Sequence, residues 1–203
     1  MARYIGPKTR ISRKFGEPIF GSDKYFERKK YPPGQFGPSK RYSKKSEYAI
    51  QLQEKQKLKY KYGVLERQFK KTFNEAEHKH GPTGDNLMQL LELRLDNTIY
   101  RLGLASTRAG ARQLISHKHV LINDRVVNIP SYILRVGDII EIRERSKNLE
   151  SIQIAQKASR VHKYGWLHFD KSYLKGSVVN LPDVEDVIEN VKVQLVVELF
   201  SRH

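Results

Sequence analysis

Arg94 and Arg101 are seven residues apart and Arg108 and Arg112 four apart, spacings that place each pair on one face of a helix. A guanidinium presents a planar fork of N–H donors that grips a phosphate through two parallel bonds, which an ammonium cannot do. The spacing therefore points to recognition of a phosphate backbone. The stretch "STRAGARQLISHKHVLINDRVVNIPSY" (106–132) adds His117, Lys118, His119 and Arg125 directly after the second pair. Other chemistries fit less well. His78 and His80, like His117 and His119, are two apart, but no third ligand is suitably placed and cysteine is absent, so no metal is expected. Asp96 and Asp170 lack a neighbouring nucleophile, base or second acid, and Asp96, in "RLDN", is expected to orient an arginine or cap a helix end. Neither a catalytic residue nor a cofactor is expected.

Composition points the same way. The 203 residues include 38 Lys and Arg against 22 Asp and Glu, a formal charge of +16. That balance predicts nucleic acid first and an anionic membrane surface second, and the lack of any long apolar run argues against the membrane. "MARYIGPKTRISRK" is basic without the apolar core of a secretory signal. The absence of cysteine excludes disulfides, cysteine-ligated zinc and thiol nucleophiles, and a cytoplasmic location fits. Residues 1–80 hold 21 basic and 8 acidic residues, or +13, leaving +3 for residues 81–203. That first segment also carries 13 of the 20 aromatic residues, interleaved with its cations, unlike an ordinary disordered basic tail. Arg3, Lys8, Arg10, Arg13, Lys14, Lys29, Lys30, Lys40, Arg41, Lys44 and Lys45 are its candidate nucleic-acid contacts, with Tyr4, Tyr31, Phe36 and Tyr42 as candidates for stacking on sugar or base.

The elements that must position these residues are legible in outline. Glycine and proline recur so often between Gly6 and Pro38 that residues 1–42 read as extended and irregular, ordering only against a partner. A helix is predicted from Ser46 to a stop at Gly63, and a second from Val64 to Ala76, with Leu65, Phe69, Phe73 and Ala76 inward and Glu66 paired to Lys70. Arg67, Lys70 and Lys71 read as a solvated face. One helix is predicted over 85–104, capped by Asp85, and another over 106–118, capped by Ser106. "VLI", the turn Asn123-Asp124, "VV", the turn Gly137-Asp138 and "IIEI" predict a small sheet over 120–145 packed on the helix pair. A short helix is expected in 148–159, strand after Trp166, a helical turn after Pro182 and a β-rich run from Val191 to Phe200.

The series "RLDN…RLG", "AR-QL", "H-HV…IN" and "IPSY…GD" resembles, in register, the RNA-binding module of the family named after the fourth protein of the bacterial small ribosomal subunit. "YPPGQFG", "SEYAIQLQEKQKLKYKYGVLERQF" and "VELFSR" extend the resemblance over nearly the whole chain. It implies an α+β fold: a helical domain (43–91, completed by 178–203) with a basic extended N-terminal segment (1–42), interrupted by the inserted helix-pair and small-sheet module (92–177). It also implies a structural protein that binds small-subunit ribosomal RNA early and nucleates assembly of the subunit body. Further implied partners are neighbouring ribosomal proteins, notably the fifth, and messenger RNA on its way into the subunit, with an influence on decoding accuracy. Many members fold their N-terminus around cysteine-ligated zinc; the absence of cysteine here implies a zinc-free variant. Members usually carry glycine where Lys118 and Asp124 stand here. Pseudouridine synthases and tyrosyl-tRNA synthetases share the module, but the ninety residues before it and the fifty after carry no catalytic motif. Stand-alone RNA chaperones of stalled ribosomes are usually shorter and lack "VELFSR".

Overall fold

The computed structural model describes residues 4–39, 44–158, 164–183 and 191–201, and its chain divides into two compact units, residues 1–74 with 189–203 and residues 75–188. In the first unit, α1 (Lys8–Phe15) and α2 (Lys24–Arg28) stand where an extended segment was expected. Pro7 precedes α1 and Gly16, at φ 73°, ends it, so these breakers delimit helices here rather than prevent them. Asp23 caps α2, accepting from the Tyr25 and Phe26 N–H groups at 2.9 and 3.3 Å, and also accepts from the Thr9 hydroxyl at 2.6 Å, which ties α2 to α1. Ser12, Ile19 and Phe26 are buried. The extended reading of residues 1–42 is therefore corrected for their described part.

α3 (Glu47–Tyr62) begins and ends as its sequence predicts: Ser46 accepts from the Ala49 N–H at 3.3 Å, and Gly63 closes the helix in a left-handed conformation. Lys57 of α3 reaches Glu17 at 2.7 Å, holding the N-terminal segment to the helix. α4 (Glu66–Glu77) buries Phe69, Phe73 and Ala76, whereas Leu65 is exposed. Glu66 pairs with Lys55 and Lys59 of α3 instead of Lys70, because the neighbouring helix brings two ammoniums closer than the next turn does.

The second unit opens with α5 (Thr83–Glu92), α6 (Leu95–Arg101) and α7 (Arg108–Ser116). The single helix expected over 85–104 is broken at Leu93–Arg94. There the backbone bonds turn to another segment: Leu134 N–H donates to Leu93 O at 2.9 Å and Leu95 N–H to Tyr132 O at 2.8 Å. Asp85 lies in the first turn of α5, where its charge suits the helix dipole, and Pro82 takes the cap position. Thr107, not Ser106, caps α7 by accepting from the Gly110 N–H at 3.1 Å.

Among the described residues five antiparallel strands follow: β1 (Val120–Ile122), β2 (Arg125–Val126), β3 (Ile139–Ile142), β4 (Leu167–Asp170) and β5 (Lys175–Val178), in the order β2-β1-β3-β5-β4. The expected sheet over 120–145 is thus widened by a second hairpin. Gly176 sits in β5 because a Cβ there would meet Leu102 Cδ1 at 2.7 Å. α8 (Glu150–Ala158) completes the unit, with Leu95, Ile99, Ile115, Ile140, Ile152 and Trp166 fully buried in its core. Each such aliphatic side chain contributes roughly 1.5–3 kcal/mol.

The β-rich run expected from Val191 to Phe200 is instead α9 (Val193–Ser201), packed on α3 in the first unit. Val196 and Leu199 are buried, and Phe200 stacks on Phe73 at 4.1 Å between centroids, an i, i+3, i+4 pattern that overrides the strand preference of valine. The helical turn expected after Pro182 lies outside the described residues.

Candidate nucleic-acid interface

Three of the four arginines of the opening pattern, Arg94, Arg101 and Arg112, are turned onto two buried carboxylates. Asp96 accepts from Arg94 through both oxygens, at 3.2 and 2.9 Å, and from Arg112 Nε at 2.7 Å. Glu92 accepts from Arg101 at 3.0 and 2.7 Å and from Asn97 Nδ2 at 2.6 Å. Arg94, Arg101 and Arg112 are no more than 9% exposed. Of the four arginines expected to form one phosphate-binding face, these three are buried and engaged by carboxylates. Helical spacing paired Arg94 with Arg101 and Arg108 with Arg112; instead Asp96 joins Arg94 to Arg112 and Glu92 holds Arg101, because the break between α5 and α6 turns the "E-x-R-x-D" backbone inward and supplies the acids. Asp96 orients arginines, as its position in "RLDN" suggests.

Arg108 is the half-exposed member of the four. Its Nε donates to Asn97 Oδ1 at 2.8 Å and its guanidinium lies 4.7 Å above the Tyr100 ring centroid. Two fixed contacts hold a long, flexible side chain in one orientation, which lowers the entropy it loses on meeting a phosphate. Arg101 is fixed likewise, donating to Tyr164 Oη at 3.0 Å.

The β1–β2 hairpin projects a second group of cations. Lys118 and Arg125 are exposed, as is His117, and His119 is half-buried. His119 Nδ1 and Ser146 Oγ share a hydrogen bond of 2.8 Å. Burial, with the positive surroundings of His117, Arg145 and Arg143, holds the His119 pKa below its ordinary 6.5. Arg143 and Arg145 were missed in the sequence. The pairing of Val120 with Ile142 brings Arg143 opposite His119, and its Nη1 donates to Lys118 O at 3.2 Å. The antiparallel register of "VLI" and "IIEI" was the signal that could have found it. Among the described residues, no three His, Cys, Asp or Glu side chains converge as metal ligands, and no helix is long and apolar enough to cross a membrane.

In the first unit, α1 carries Lys8, Arg10 and Lys14 exposed and Arg13 half-exposed; Lys29 and Lys30 follow α2, and Lys44 and Lys45 precede α3, all exposed. Tyr4 packs edge-on against Tyr60 at 5.2 Å and beside Phe20, so its ring is engaged internally. Tyr31 lies under Arg13 and Phe36 is 74% exposed. Arg3, Lys40, Arg41 and Tyr42 fall outside the described residues.

Residues 3–92 match the family described as ribosomal protein S4/S9 N-terminal domain, and residues 93–140 match the S4 domain. The small ribosomal subunit protein uS4 of Porphyromonas gingivalis is 54% identical over 202 residues, covering 100% of both chains. The same protein of Cytophaga hutchinsonii is 54% identical and that of Flavobacterium psychrophilum 52%, again over 100% of each chain. With both family models in sequence order and identity sustained from end to end, the chain belongs to the uS4 family of small-ribosomal-subunit proteins.

Proposed function

We propose that this chain is a structural, non-enzymatic constituent of the small ribosomal subunit in the cytoplasm. It binds small-subunit ribosomal RNA directly and early, and so nucleates folding of the subunit body. The observation that carries this is the basic rim of the second unit. Arg108 is clamped by Asn97 and Tyr100, and His117, Lys118, His119 and Arg125 stand on a hairpin beside Arg143 and Arg145. A-form RNA hides its base edges in a deep groove, so fixed cations on a shaped surface suit recognition of a folded junction. Arg94, Arg101 and Arg112 act in this reading as the scaffold of that rim. Lys8, Arg10, Lys14, Lys29, Lys30, Lys44 and Lys45 supply further phosphate contacts from the first unit. Arg3, Lys40, Arg41 and Tyr42 are assigned to the same role on residue type alone.

The finer parts of the reading rest on family resemblance: contact with the fifth ribosomal protein, proximity to incoming messenger RNA and an influence on decoding accuracy. A chemical footprint of the purified protein on small-subunit ribosomal RNA tests the central claim. Protection confined to a multi-helix junction is expected; protection spread evenly over the RNA, or none, would sink it.

A further inference from the structure

A cavity of about 830 Å³ opens in the first unit between α1, the segment after α2 and the start of α3. That volume lies within the range of roughly 300–1,000 Å³ typical of small-ligand sites. Arg10, Arg13, Lys14, Lys30 and Lys45 line it, and no carboxylate does among the described residues. Between the cations the wall is largely apolar, with the planar ring of Tyr31 beside Phe15, Pro32 and Pro33.

The wall is also preorganised. Arg13 donates from Nε to Tyr31 O at 3.0 Å and from Nη2 to Pro32 O at 3.2 Å, and its guanidinium lies 4.7 Å from the Tyr31 ring centroid. Gln53 Oε1 holds the Lys45 ammonium at 2.5 Å. The loop is wound so closely that a Cβ on Gly37 would stand 2.1 Å from Pro32 O.

A phosphate ridge alone calls for cations and gains nothing from an apolar wall. An apolar side chain calls for the wall and gains nothing from five cations. An unstacked nucleotide needs both, a flat surface for its base and positive charge for the phosphates on either side. We propose that this cavity receives one extruded nucleotide of RNA, its base against the Arg13–Tyr31 stack and its flanking phosphates at Arg10, Lys14 and Lys30. The inference rests on the RNA-binding reading above.

The test uses the full-length protein and an RNA hairpin whose stem carries one unpaired 4-thiouridine, compared with the same hairpin fully paired. Irradiation should cross-link the thiouridine within residues 10–16 or 30–33. The bulged hairpin should bind about tenfold more tightly, the effect of one base–aromatic stack. Tyr31→Ala should remove that preference and Tyr31→Phe should keep it, with circular dichroism confirming that both fold. Lys14→Gln with Lys30→Gln should weaken the bulged hairpin more than the paired one, and equal weakening overturns the placement of the flanking phosphates on these two cations. Cross-links lying wholly outside the two segments overturn the proposal, and because that arm needs no variant it holds even if Tyr31→Ala fails to fold. Equal affinity for the two hairpins also overturns it, leaving a backbone groove. If the wild type binds neither hairpin nor small-subunit ribosomal RNA, the RNA-binding reading itself has failed and this inference falls with it.

Discussion

Asp96 is 1% exposed and lies between two guanidinium groups that are themselves buried. Breaking a buried ion pair from one side leaves charge without compensation, which costs about 3–5 kcal/mol. Asp96→Asn should therefore destabilise the second unit by about that amount in urea unfolding; a loss below about 1 kcal/mol would mean that water already solvates the arginines. His119 carries a different expectation. Its pKa is depressed first by burial and then by His117, Arg145 and Arg143, so the folded state takes the proton at lower pH than the unfolded chain does. The stability this contributes is present above the ordinary 6.5 and declines as pH falls through it towards the depressed value. A phosphate placed beside the imidazole raises its pKa, so RNA binding takes up a proton and affinity rises on going from about pH 8 to about pH 6. Affinity measured across that range should steepen for the wild type and lose the His119 contribution in His119→Gln. An identical pH profile for the two proteins would place RNA away from this histidine.

At the scale of elements, the two departures from family glycine fall on strained backbone. Lys118 and Asp124 both have φ 63°, and Asn123 has φ 47°. Asn123 and Asp124 form the two-residue hairpin turn that demands positive φ at both positions. Left-handed backbone costs a non-glycine residue roughly 1–2 kcal/mol. Lys118→Gly should stabilise the protein by about 1 kcal/mol, read as a rise of a few degrees in Tm, and Asp124→Gly by less because aspartate tolerates this conformation; no rise for Lys118→Gly would show that local bonds already offset the strain. Asn123 differs, because its amide donates to Asp138 Oδ1 at 2.9 Å and its Oδ1 accepts from the Ile139 N–H at 3.0 Å, joining this turn to the next. α9 offers a test of packing. Leu199 is 5% exposed, so Leu199→Ala should cost about 2–5 kcal/mol in denaturant unfolding. A loss near zero would mean that α9 is not held on α3.

Over the whole molecule the net charge of +16 governs association more than stability. Each phosphate contact releases counterions, so affinity falls steeply with salt. Replacing Lys8, Arg10 and Lys14 of α1 with glutamine should lower the slope of log affinity against log salt by about 0.7–0.9 for each phosphate that is no longer neutralised. An unchanged slope would remove α1 from the interface. Because α1 and α2 are anchored by the Asp23 cap, the Thr9–Asp23 bond and the Lys57–Glu17 pair, amide exchange in their helical residues should be slower than in an unfolded chain even without RNA. Exchange at the unfolded rate would restore the extended reading of this segment.

What the sequence determined by itself is local or additive. The anionic partner follows from summed charge. The ends of α3 follow from Ser46 and Gly63, the β1–β2 turn from Asn123-Asp124 and the start of β3 from Gly137-Asp138, because capping and turn chemistry act within a few residues. Tertiary structure decided the rest. Whether an arginine meets water or a carboxylate depends on where Glu92 and Asp96 lie, and that depends on residues 130–134 drawing the backbone bonds away between α5 and α6. Valine-rich residues 193–201 form a helix because packing on α3 and α4 buries Val196 and Leu199 and stacks Phe200 on Phe73, a gain larger than the fraction of a kilocalorie by which valine disfavours helix. Spacing along a chain shows which side chains share a face; only the packed partner decides what that face meets.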